Sequence, residues 1–290
     1  MTMPTMPIDP EEFVVQFWGV RGSVPSPGPQ TIRYGGNTSC IEVRAHGKKL
    51  IFDGGTGLRN LGKTMAAKDP EPIHMLFTHY HWDHIQGIPF FDPLFNPEQV
   101  IHIHGQVPEE ERDNDLRTHF YEKVLHTNAP IPTKNIQATL EFHEIRCGDH
   151  FTIGDIEIFT GPLNHPNGAM GYRANWGGHG IVYCTDTEHF PDRLDEHLLA
   201  LSEGADIMIY DAMYTDEQYH DPKAPKIGWG HSTWQEGVRL AIAAQVRKLA
   251  VFHHEPNNND DILDGIGKDV TAVFPGAFMA KEGLIVSAID

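Results

Sequence analysis

The sequence THYHWDH at residues 78–84 follows directly on the apolar run at residues 73–77. A buried strand that ends there would deliver four side chains of ligand type to a tight turn: His79, His81, Asp83 and His84. Imidazole and carboxylate donors without a thiolate suit Zn²⁺ or another borderline divalent ion, and they leave coordination positions open for water. The stretch therefore predicts a metal centre at the end of a strand.

Three other segments end in residues of the same type. His165 follows residues 159–164, Asp186 follows residues 181–185, and His253 with His254 follows residues 249–252. Because six residues are too few to complete two coordination spheres, further ligands must come from the ends of other strands. An unpaired charge or imidazole at the end of a buried run is costly, and a metal ion removes that cost. These positions are therefore predicted to supply the remaining ligands.

The pattern H-x-H-x-D-H at residues 79–84, preceded by the glycine-flanked Asp53 in FDGG at 52–55, resembles the metallo-β-lactamase fold superfamily of binuclear metallohydrolases. The resemblance covers nearly the whole chain and implies an α/β fold. That fold is a four-layer αββα sandwich, in which two mixed β-sheets pack face to face between outer helices. We expect one hydrolase domain at residues 13–290, after an N-terminal tail at residues 1–12.

The same resemblance implies two divalent ions, with Zn²⁺ favoured and Mn²⁺ or Fe²⁺ also accepted by such ligands. One ion would be held by His79, His81 and His165. The other would be held by Asp83, His84 and His253, with Asp186 bridging the two. His253 is preferred as the late ligand because the ligand in that family directly follows its apolar strand, as His253 follows residues 249–252. His254 is the alternative late ligand. If it is not the ligand, it would lie behind the ligating residues or contact the substrate.

Two later motifs resemble the tRNase Z branch of this superfamily: YDAMY at residues 210–214 and GHST at residues 230–233. In those phosphodiesterases the acidic residue and the histidine form a pair beside the scissile phosphate. Carried over, Asp211 would orient His231 and keep it protonated, so that His231 stabilises phosphate charge or protonates the leaving oxygen. With Asp83 they are the predicted catalytic residues. The alternatives are a strand-end aspartate that caps a turn and a surface histidine at a helix N-terminus.

The charge of the chain argues against a tRNA substrate. It has 40 acidic and 22 basic residues, a net charge of −18, and two divalent ions would change that only to −14. A large RNA needs many phosphate contacts, and the sequence has no basic, glycine-rich arm to supply them. A large nucleic acid is therefore not an expected partner.

Other segments resemble the bacterial branch that contains cyclic-nucleotide and phosphoribosyl cyclic phosphate phosphodiesterases. They are GVRGSVP at 19–25, YGGNTS at 34–39, NHP at 164–166 and GYR at 171–173. This likeness marks Arg21, Asn37 and Arg173 as candidate contacts for phosphate or nucleobase, although loop closure or ion pairing explains them equally well. The resemblance also implies a homodimer.

We therefore expect hydrolysis of a small cyclic phosphodiester, above all of a 3′,5′-cyclic nucleotide to its linear monophosphate. Two ions would activate a shared water for in-line attack. The rival reactions are hydrolysis of phosphoribosyl 1,2-cyclic phosphate and tRNA 3′-end processing. A hypothesis from a different class is a metal-containing protein that senses a nucleotide without turning it over.

Short runs rich in Val, Ile and Phe alternate with turn residues, and they predict strands at 13–20, 39–46, 49–53, 74–78, 100–104, 138–145, 156–160, 171–175, 181–185, 207–211, 249–253 and 283–288. Helical patterns occur at 58–68, 109–124, 191–201 and 232–245. This number of strands is too large for a single half-exposed sheet, which favours two packed sheets.

The remaining features concern location and the other histidines. Cys40, Cys147 and Cys184 lack paired spacing, which favours a reducing, cytoplasmic compartment. The apolar segments are too short to span a membrane, so no membrane partner is expected. His102 and His104 alternate on a predicted strand and so share a face, but without a completed ligand pattern we expect a surface or core role for them.

Overall fold

The computed structural model describes residues 12–65, 70–111, 113–126 and 132–290. The first sheet has the order β14-β1-β2-β3-β4-β5-β6. Its strands are β1 (Phe13–Gly19), β2 (Cys40–Ala45), β3 (Lys48–Phe52), β4 (Ile73–Leu76), β5 (Val100–Gly105), β6 (Thr139–Glu144) and β14 (Ile285–Ser287). Strands β3 to β6 run parallel, whereas β14, β1, β2 and β3 pair antiparallel.

The second sheet has the order β13-β12-β11-β10-β9-β8-β7. Its strands are β7 (His150–Ile153), β8 (Ile156–Leu163), β9 (Ala169–Trp176), β10 (His179–Cys184), β11 (Ile207–Asp211), β12 (Lys248–Phe252) and β13 (Ala277–Met279). Strands β10 to β13 run parallel, and β7 to β10 pair antiparallel. Both sheets are therefore mixed, as the sequence predicts.

The two sheets pack face to face through large aromatic side chains. The ring centroids of Phe17 on β1 and Phe252 on β12 are 6.1 Å apart, and those of Phe52 on β3 and Tyr172 on β9 are 5.4 Å apart. All four side chains are buried in one continuous core. Burying a large apolar side chain contributes roughly 1.5–3 kcal/mol, so this interface holds the two sheets, and the loops at their ends, in one arrangement.

Helices cover the outer faces of both sheets and complete the αββα sandwich. They are α1 (Gly57–Thr64), α2 (Leu116–His119), α3 (Glu196–Ser202), α5 (Trp234–Ala243) and α6 (Asp260–Val273). The short helix α4 (Asp216–Tyr219) instead packs its Tyr219 with Met213 and Tyr214. The N-terminus of α5 is capped by the Thr233 hydroxyl, which accepts from the Glu236 N–H, and Asn259 caps α6 in the same way. Two further buried clusters fill the space between the helices and the sheets.

Several elements differ from the sequence prediction. Strands β7 and β13 and helices α4 and α6 were not predicted. Helix α6 contains Gly265 and Gly267, which lower helix propensity, so packing against β13 and α5 rather than local preference explains it. The predicted helix at 109–124 is a 3₁₀ turn followed by α2 and by a π-helical turn at Phe120–His126.

Two predictions fall partly on residues outside the described ranges. The predicted tail at 1–12 lies there except for its last residue. The predicted helix at 58–68 corresponds to α1, which ends at Thr64, and the last three predicted positions, 66–68, lie outside the described residues. The three cysteines, Cys40, Cys147 and Cys184, are unpaired. Among the described helices, none has the length and apolar character needed to cross a membrane.

Candidate metal centre

The carboxyl ends of parallel strands from both sheets meet at one edge of the sandwich. Asp53 follows β3, and His79 comes three residues after the end of β4. In the second sheet, Asp186 comes two residues after β10 and His253 directly follows β12. Because the aromatic core fixes the two sheets against each other, these strand ends converge on one point.

Three of these residues have a backbone conformation that is unusual for any residue other than glycine. The φ angles are 60° at Asp53, 59° at Asp186 and 61° at His253. Left-handed residues other than glycine cost on the order of 1–3 kcal/mol each and are concentrated at functional sites. Packing therefore holds the backbone of these residues in a conformation that it would not adopt by itself. This is an expected property of a preorganised site.

The first group of ligand-type atoms belongs to His79, His81 and His165, whose ring nitrogens lie within 4.8 Å of one another. His81 Nδ1 and His165 Nε2 are 3.0 Å apart. A separation near 3.3 Å is what two ligands of a tetrahedral zinc ion have, given bonds of roughly 2.0–2.1 Å. The structure thus brings together the three histidines that the family resemblance assigns to one ion.

The second group contains Asp83, His84, Asp186 and His253, again with donor atoms within 4.8 Å. Asp186 Oδ2 lies 3.2 Å from His84 Nε2 and 3.3 Å from His253 Nε2. Asp186 Oδ1 lies 3.8 Å from Nε2 of His79, a member of the first group. Asp186 thus contacts both groups, in the position expected of a bridging ligand. We call the seven residues of the two groups the candidate metal centre.

The nitrogen that does not face the centre is held by a protein group in several of these histidines. His84 Nδ1 donates to Asp53 Oδ2 at 2.8 Å, and His165 Nδ1 donates to the Gly230 carbonyl at 2.9 Å. Asp53 also accepts from the Tyr183 hydroxyl at 2.9 Å. Such contacts fix the tautomer and orientation of a metal-binding imidazole and leave its other nitrogen free to coordinate.

The residues present fit a pair of divalent cations. His79 Nε2 and His84 Nε2 are buried and have no hydrogen-bond partner among the described residues. Burial holds the pKa of His79 well below its ordinary value, so its ring is a neutral donor. Burial alone would raise the pKa of Asp186, but His253 and His84 hold it well below its ordinary value. A neutral His79 and an ionised Asp186 are in the forms that bind metal.

Asp211 and His231 form the pair that the sequence predicts, beside the candidate metal centre. His231 Nδ1 lies 2.9 Å from Asp211 Oδ2 and 3.9 Å from Asp186 Oδ1. The backbone N–H groups of Thr187 and Met213 also donate to Asp211, each at 3.2 Å. Burial alone would lower the pKa of His231, but the charge and hydrogen bond of Asp211 raise it to about 9. This arrangement favours a protonated His231.

The late histidines have different surroundings. His253 Nε2 is 3.2 Å from Asp83 Oδ2, within the candidate metal centre. His254 Nε2 instead donates to the Ala280 carbonyl at 2.7 Å, and its ring packs edge-on against Tyr34. The geometry therefore favours His253 over His254 as the late ligand, and it gives His254 a contact with protein rather than an open face for substrate.

The other candidate substrate contacts are engaged with the protein itself. Arg21 is fully buried and donates to the carbonyls of Gly35 and Asn258 at 2.9 and 2.7 Å. Asn37 donates to the Glu282 carboxylate, from its N–H at 2.7 Å and from Nδ2 at 3.0 Å.

Arg173 lies on β9, and its guanidinium binds the end of α3. Its Nη1 donates to the carbonyls of Leu201 at 3.0 Å and Glu203 at 2.7 Å. These contacts, like those of Arg21 and Asn37, support the alternative explanation, in which the three residues hold loops of the protein together. The structure does not bring the arginines to the candidate metal centre.

Two residues that support the site were missed in the sequence. Ser23 donates its N–H to Asp83 Oδ2 at 2.8 Å. Glu188 accepts from the N–H groups of Gly228 at 2.7 Å and Gly230 at 2.8 Å, and from the Tyr219 hydroxyl. The Gly230 carbonyl holds His165, so Glu188 supports a ligand through this loop. The only available signal for Glu188 was its position two residues after Asp186.

A cavity of about 230 Å³ lies beside His79 and His81. Its wall combines apolar and polar side chains, among them Ile85, Gln106, Lys123, Asn167 and Met170. It therefore offers a small, partly apolar space next to the ligand-type residues.

Comparisons with known proteins agree with this fold. The profile of the "Beta-lactamase superfamily domain" matches residues 48–254. A ribonuclease Z from Crocosphaera subtropica is 32% identical over 304 aligned positions, which cover 85% of this chain and 91% of that protein.

Two solved structures show the same fold. The metallo-beta-lactamase fold protein YhfI from Bacillus subtilis has a TM-score of 0.70 at 20% identity, covering 96% of this chain and 99% of that one. A diphosphatase from the PhnP family has a TM-score of 0.68 at 17% identity, covering 95% of this chain and 97% of that one.

Proposed function

The chain belongs to the beta-lactamase superfamily, and on that premise we propose that it is a phosphodiesterase with two divalent metal ions. The observation that carries this proposal is the Asp211–His231 pair, 2.9 Å between Oδ2 and Nδ1, beside a cluster of seven ligand-type residues. Hydrolysis of a phosphodiester requires the departure of an alkoxide, and a buried, protonated imidazole next to the scissile bond supplies the proton that this step needs.

The proposed ion sites use the residues of the candidate metal centre. His79, His81 and His165 would hold one ion, Asp83, His84 and His253 would hold the other, and Asp186 would bridge them. When bound, such ions supply Lewis-acid polarisation of the phosphate and a lowered pKa for water. Zn²⁺ suits these ligands best, and Mn²⁺ or Fe²⁺ would also be accepted.

The protein side chains position and move a proton. Asp211 holds the Nδ1–H of His231, which leaves Nε2–H as the donor. As a water oxygen bonds to phosphorus and the bond to the leaving oxygen breaks, His231 gives that proton to the leaving oxygen. The proton that the water releases then restores the protonated His231. The N–H groups of Thr187 and Met213 donate to Asp211 and stabilise negative charge on its carboxylate. The Ser23 N–H donates to Asp83 and keeps its carboxylate directed towards the proposed ion site.

The substrate proposed is a small cyclic phosphodiester, above all a 3′,5′-cyclic nucleotide that is opened to its linear monophosphate. The net charge of −18 repels polyanions at long range. This charge favours a compact substrate with one phosphate.

A second candidate function is RNA 3′ processing, and the 32% identity to a ribonuclease Z is the observation that favours it. Phosphoribosyl 1,2-cyclic phosphate is a further small substrate that the same groups would accommodate. A nucleotide sensor without turnover would need the ligands but not the Asp211–His231 pair.

The test is a substrate panel with the purified, metal-loaded protein. We expect chelator-sensitive conversion of a 3′,5′-cyclic nucleotide to its linear monophosphate, and loss of that activity in His81→Ala. Faster cleavage of a precursor tRNA than of any small phosphodiester would replace the proposal with RNA processing. Tight nucleotide binding without product would identify a sensor.

The proposal includes three further points about the chain. Residues 13–290 form one hydrolase domain, which the core shared by the two sheets supports. The protein acts in the cytoplasm, which the three unpaired cysteines favour. It forms a homodimer, as the phosphodiesterase resemblance implies, and the mass in solution tests this point.

A further inference from the structure

A second group of histidines lies on the first sheet, apart from the candidate metal centre. It consists of His74 on β4, His102 and His104 on β5, and His143 on β6, with Glu141 on β6 beside them. We call this group the edge histidine cluster. Its strands pair in register, His74 with His102, His102 with Glu141, and His104 with His143. All five side chains therefore lie on one face of the sheet.

That face is the inner face of the sandwich, close to its open edge. His74 pairs in register with Leu50 of the inner core, and the His104 ring stacks on Phe151 of β7 with centroids 5.5 Å apart. The second sheet thus covers part of the cluster. His102 is 19% exposed and Glu141 51% exposed, so the side next to β6 is open to solvent.

The rings face one another in an arrangement that suits neutral imidazoles. His74 stacks on His102 with centroids 4.4 Å apart, and His104 stacks on His143 with centroids 4.5 Å apart. Two stacked imidazolium ions would repel each other at such distances. The neutral ring is the form in which histidine coordinates a metal.

Three atoms with lone pairs converge near one point of this cluster. His102 Nδ1 lies 3.0 Å from His143 Nε2 and 3.3 Å from Glu141 Oε2. A proton on His102 Nδ1 can form a hydrogen bond with His143 Nε2 or with the Glu141 carboxylate, but not a good one with both at once. A cation satisfies all three atoms together, and ligands bound at roughly 2.0–2.2 Å in a tetrahedral site are themselves about 3.3 Å apart.

We propose that His102, Glu141 and His143 form an additional site for a divalent transition-metal ion of the zinc type, separate from the candidate metal centre. His74 and His104 form the wall behind it, joined by a contact of 3.1 Å between His74 Nδ1 and His104 Nε2. His104 is 5% exposed, and its Nδ1 has no hydrogen-bond partner among the described residues. Solvent reaches the open side, which provides an entry path and a position for water.

The experiment compares the zinc content of the full-length, metal-loaded protein with that of a His102→Gln/His143→Gln variant. Glutamine keeps a polar group of similar reach but lacks imidazole donors. After dialysis at one fixed free Zn²⁺ concentration, we expect the double variant to bind one ion fewer per chain than the wild type. His150→Gln is the matched control, because His150 is a half-exposed histidine on β7 outside the cluster, and it should bind as many ions as the wild type.

A milder variant keeps the test decisive if the double variant folds poorly. Glu141→Gln changes a half-exposed side chain and should weaken zinc binding at this site by at least about tenfold, since even the loss of a group behind a ligand has that effect. Equal zinc content and affinity in all variants would overturn the proposal. In crystals of the wild type, anomalous scattering at the zinc edge should show a peak between His102 and His143, and its absence would also overturn it.

The result does not depend on the proposed function. Zinc content is read as a difference between variants, so neither the substrate nor the number of ions at the candidate metal centre affects it. Loss of phosphodiester hydrolysis together with the ion would assign the effect to the candidate metal centre and would contradict a separate site.

Discussion

The molecule has two histidine-rich regions, and they differ in what surrounds the imidazoles. In the candidate metal centre, His84 and His253 are fully buried, with Asp83 and Asp186 between them. In the edge histidine cluster, the rings mostly face one another, and Glu141 is the one carboxylate in the cluster. The edge histidine cluster has no counterpart of Asp53 among the described contacts of its members, whereas Asp53 orients His84 at 2.8 Å.

This difference shows what separates a preorganised site from a group of donors. A buried carboxylate behind an imidazole fixes its tautomer and orientation, and it makes removal of any one member expensive. Histidines that mostly contact one another can exchange a proton and rearrange at low cost. We therefore expect the two regions to respond very differently to substitution.

The largest effect is expected for Asp186→Ala. Asp186 contacts both ligand groups, at 3.2 Å from His84 and 3.8 Å from His79. Its removal should lower kcat/KM for a phosphodiester by roughly a thousandfold, equivalent to about 4 kcal/mol of lost transition-state stabilisation. Steady-state kinetics with Asp155→Ala as the control checks this, since Asp155 is 74% exposed. A variant with near wild-type kinetics would remove Asp186 from the site.

The next effect concerns His231→Ala and depends on the leaving group. For a cyclic nucleotide, whose leaving alkoxide needs a proton, we expect a loss of about 10²- to 10³-fold. For a p-nitrophenyl phosphodiester, whose phenolate leaves without a proton, the loss should be less than about tenfold. Equal losses on both substrates would show that His231 acts on binding or folding rather than as the proton donor.

A smaller effect is expected for Asp53→Asn, which keeps the shape of the group behind His84 but removes its charge. Metal affinity should fall by about 10- to 100-fold, because the amide no longer favours the tautomer that leaves Nε2 free. Titration of the metal-depleted protein with Zn²⁺ checks this, and saturating Zn²⁺ should restore most of the hydrolysis. Activity that stays low at saturating metal would mean that Asp53 does more than orient a ligand.

Glu188→Gln should act mainly on stability. Glu188 accepts from the N–H groups of Gly228 and Gly230 and from Tyr219 in a buried position. Loss of these charge-assisted hydrogen bonds should lower the free energy of unfolding by about 1–3 kcal/mol. Thermal unfolding measures it, with the exposed Glu203→Gln as the control. An unchanged Tm would show that water replaces Glu188 in this loop.

The smallest effect on catalysis is expected for His102→Gln/His143→Gln. The edge histidine cluster shares no donor atom with the candidate metal centre, so kcat/KM should stay within about twofold of the wild type. The same kinetic assay used for Asp186→Ala checks it. A large loss of activity here, beside intact folding, would contradict a separate site in the edge histidine cluster.

Much of the fold could be predicted from local patterns, and the exceptions have physical reasons. The long apolar strands and the capped helix after Thr233 carry strong periodic signals. Strand β7 has only four residues, and α6 contains Gly265 and Gly267, so their formation depends on neighbours that the local sequence does not reveal. The arginines were ambiguous for a similar reason, because the carbonyls that bind Arg21 lie up to 237 residues away.

The sequence by itself indicated the fold class and six of the seven residues offered as ligands, because H-x-H-x-D-H and the strand-end residues are local patterns that resemble a known family. It left the seventh open between His253 and His254. Only the tertiary structure decided that His253 rather than His254 faces Asp83, and that Asp53 orients His84. It alone assembled the edge histidine cluster from three strands. The physical reason is that these contacts join residues far apart in the chain, and only the packing of the two sheets fixes the distances between them.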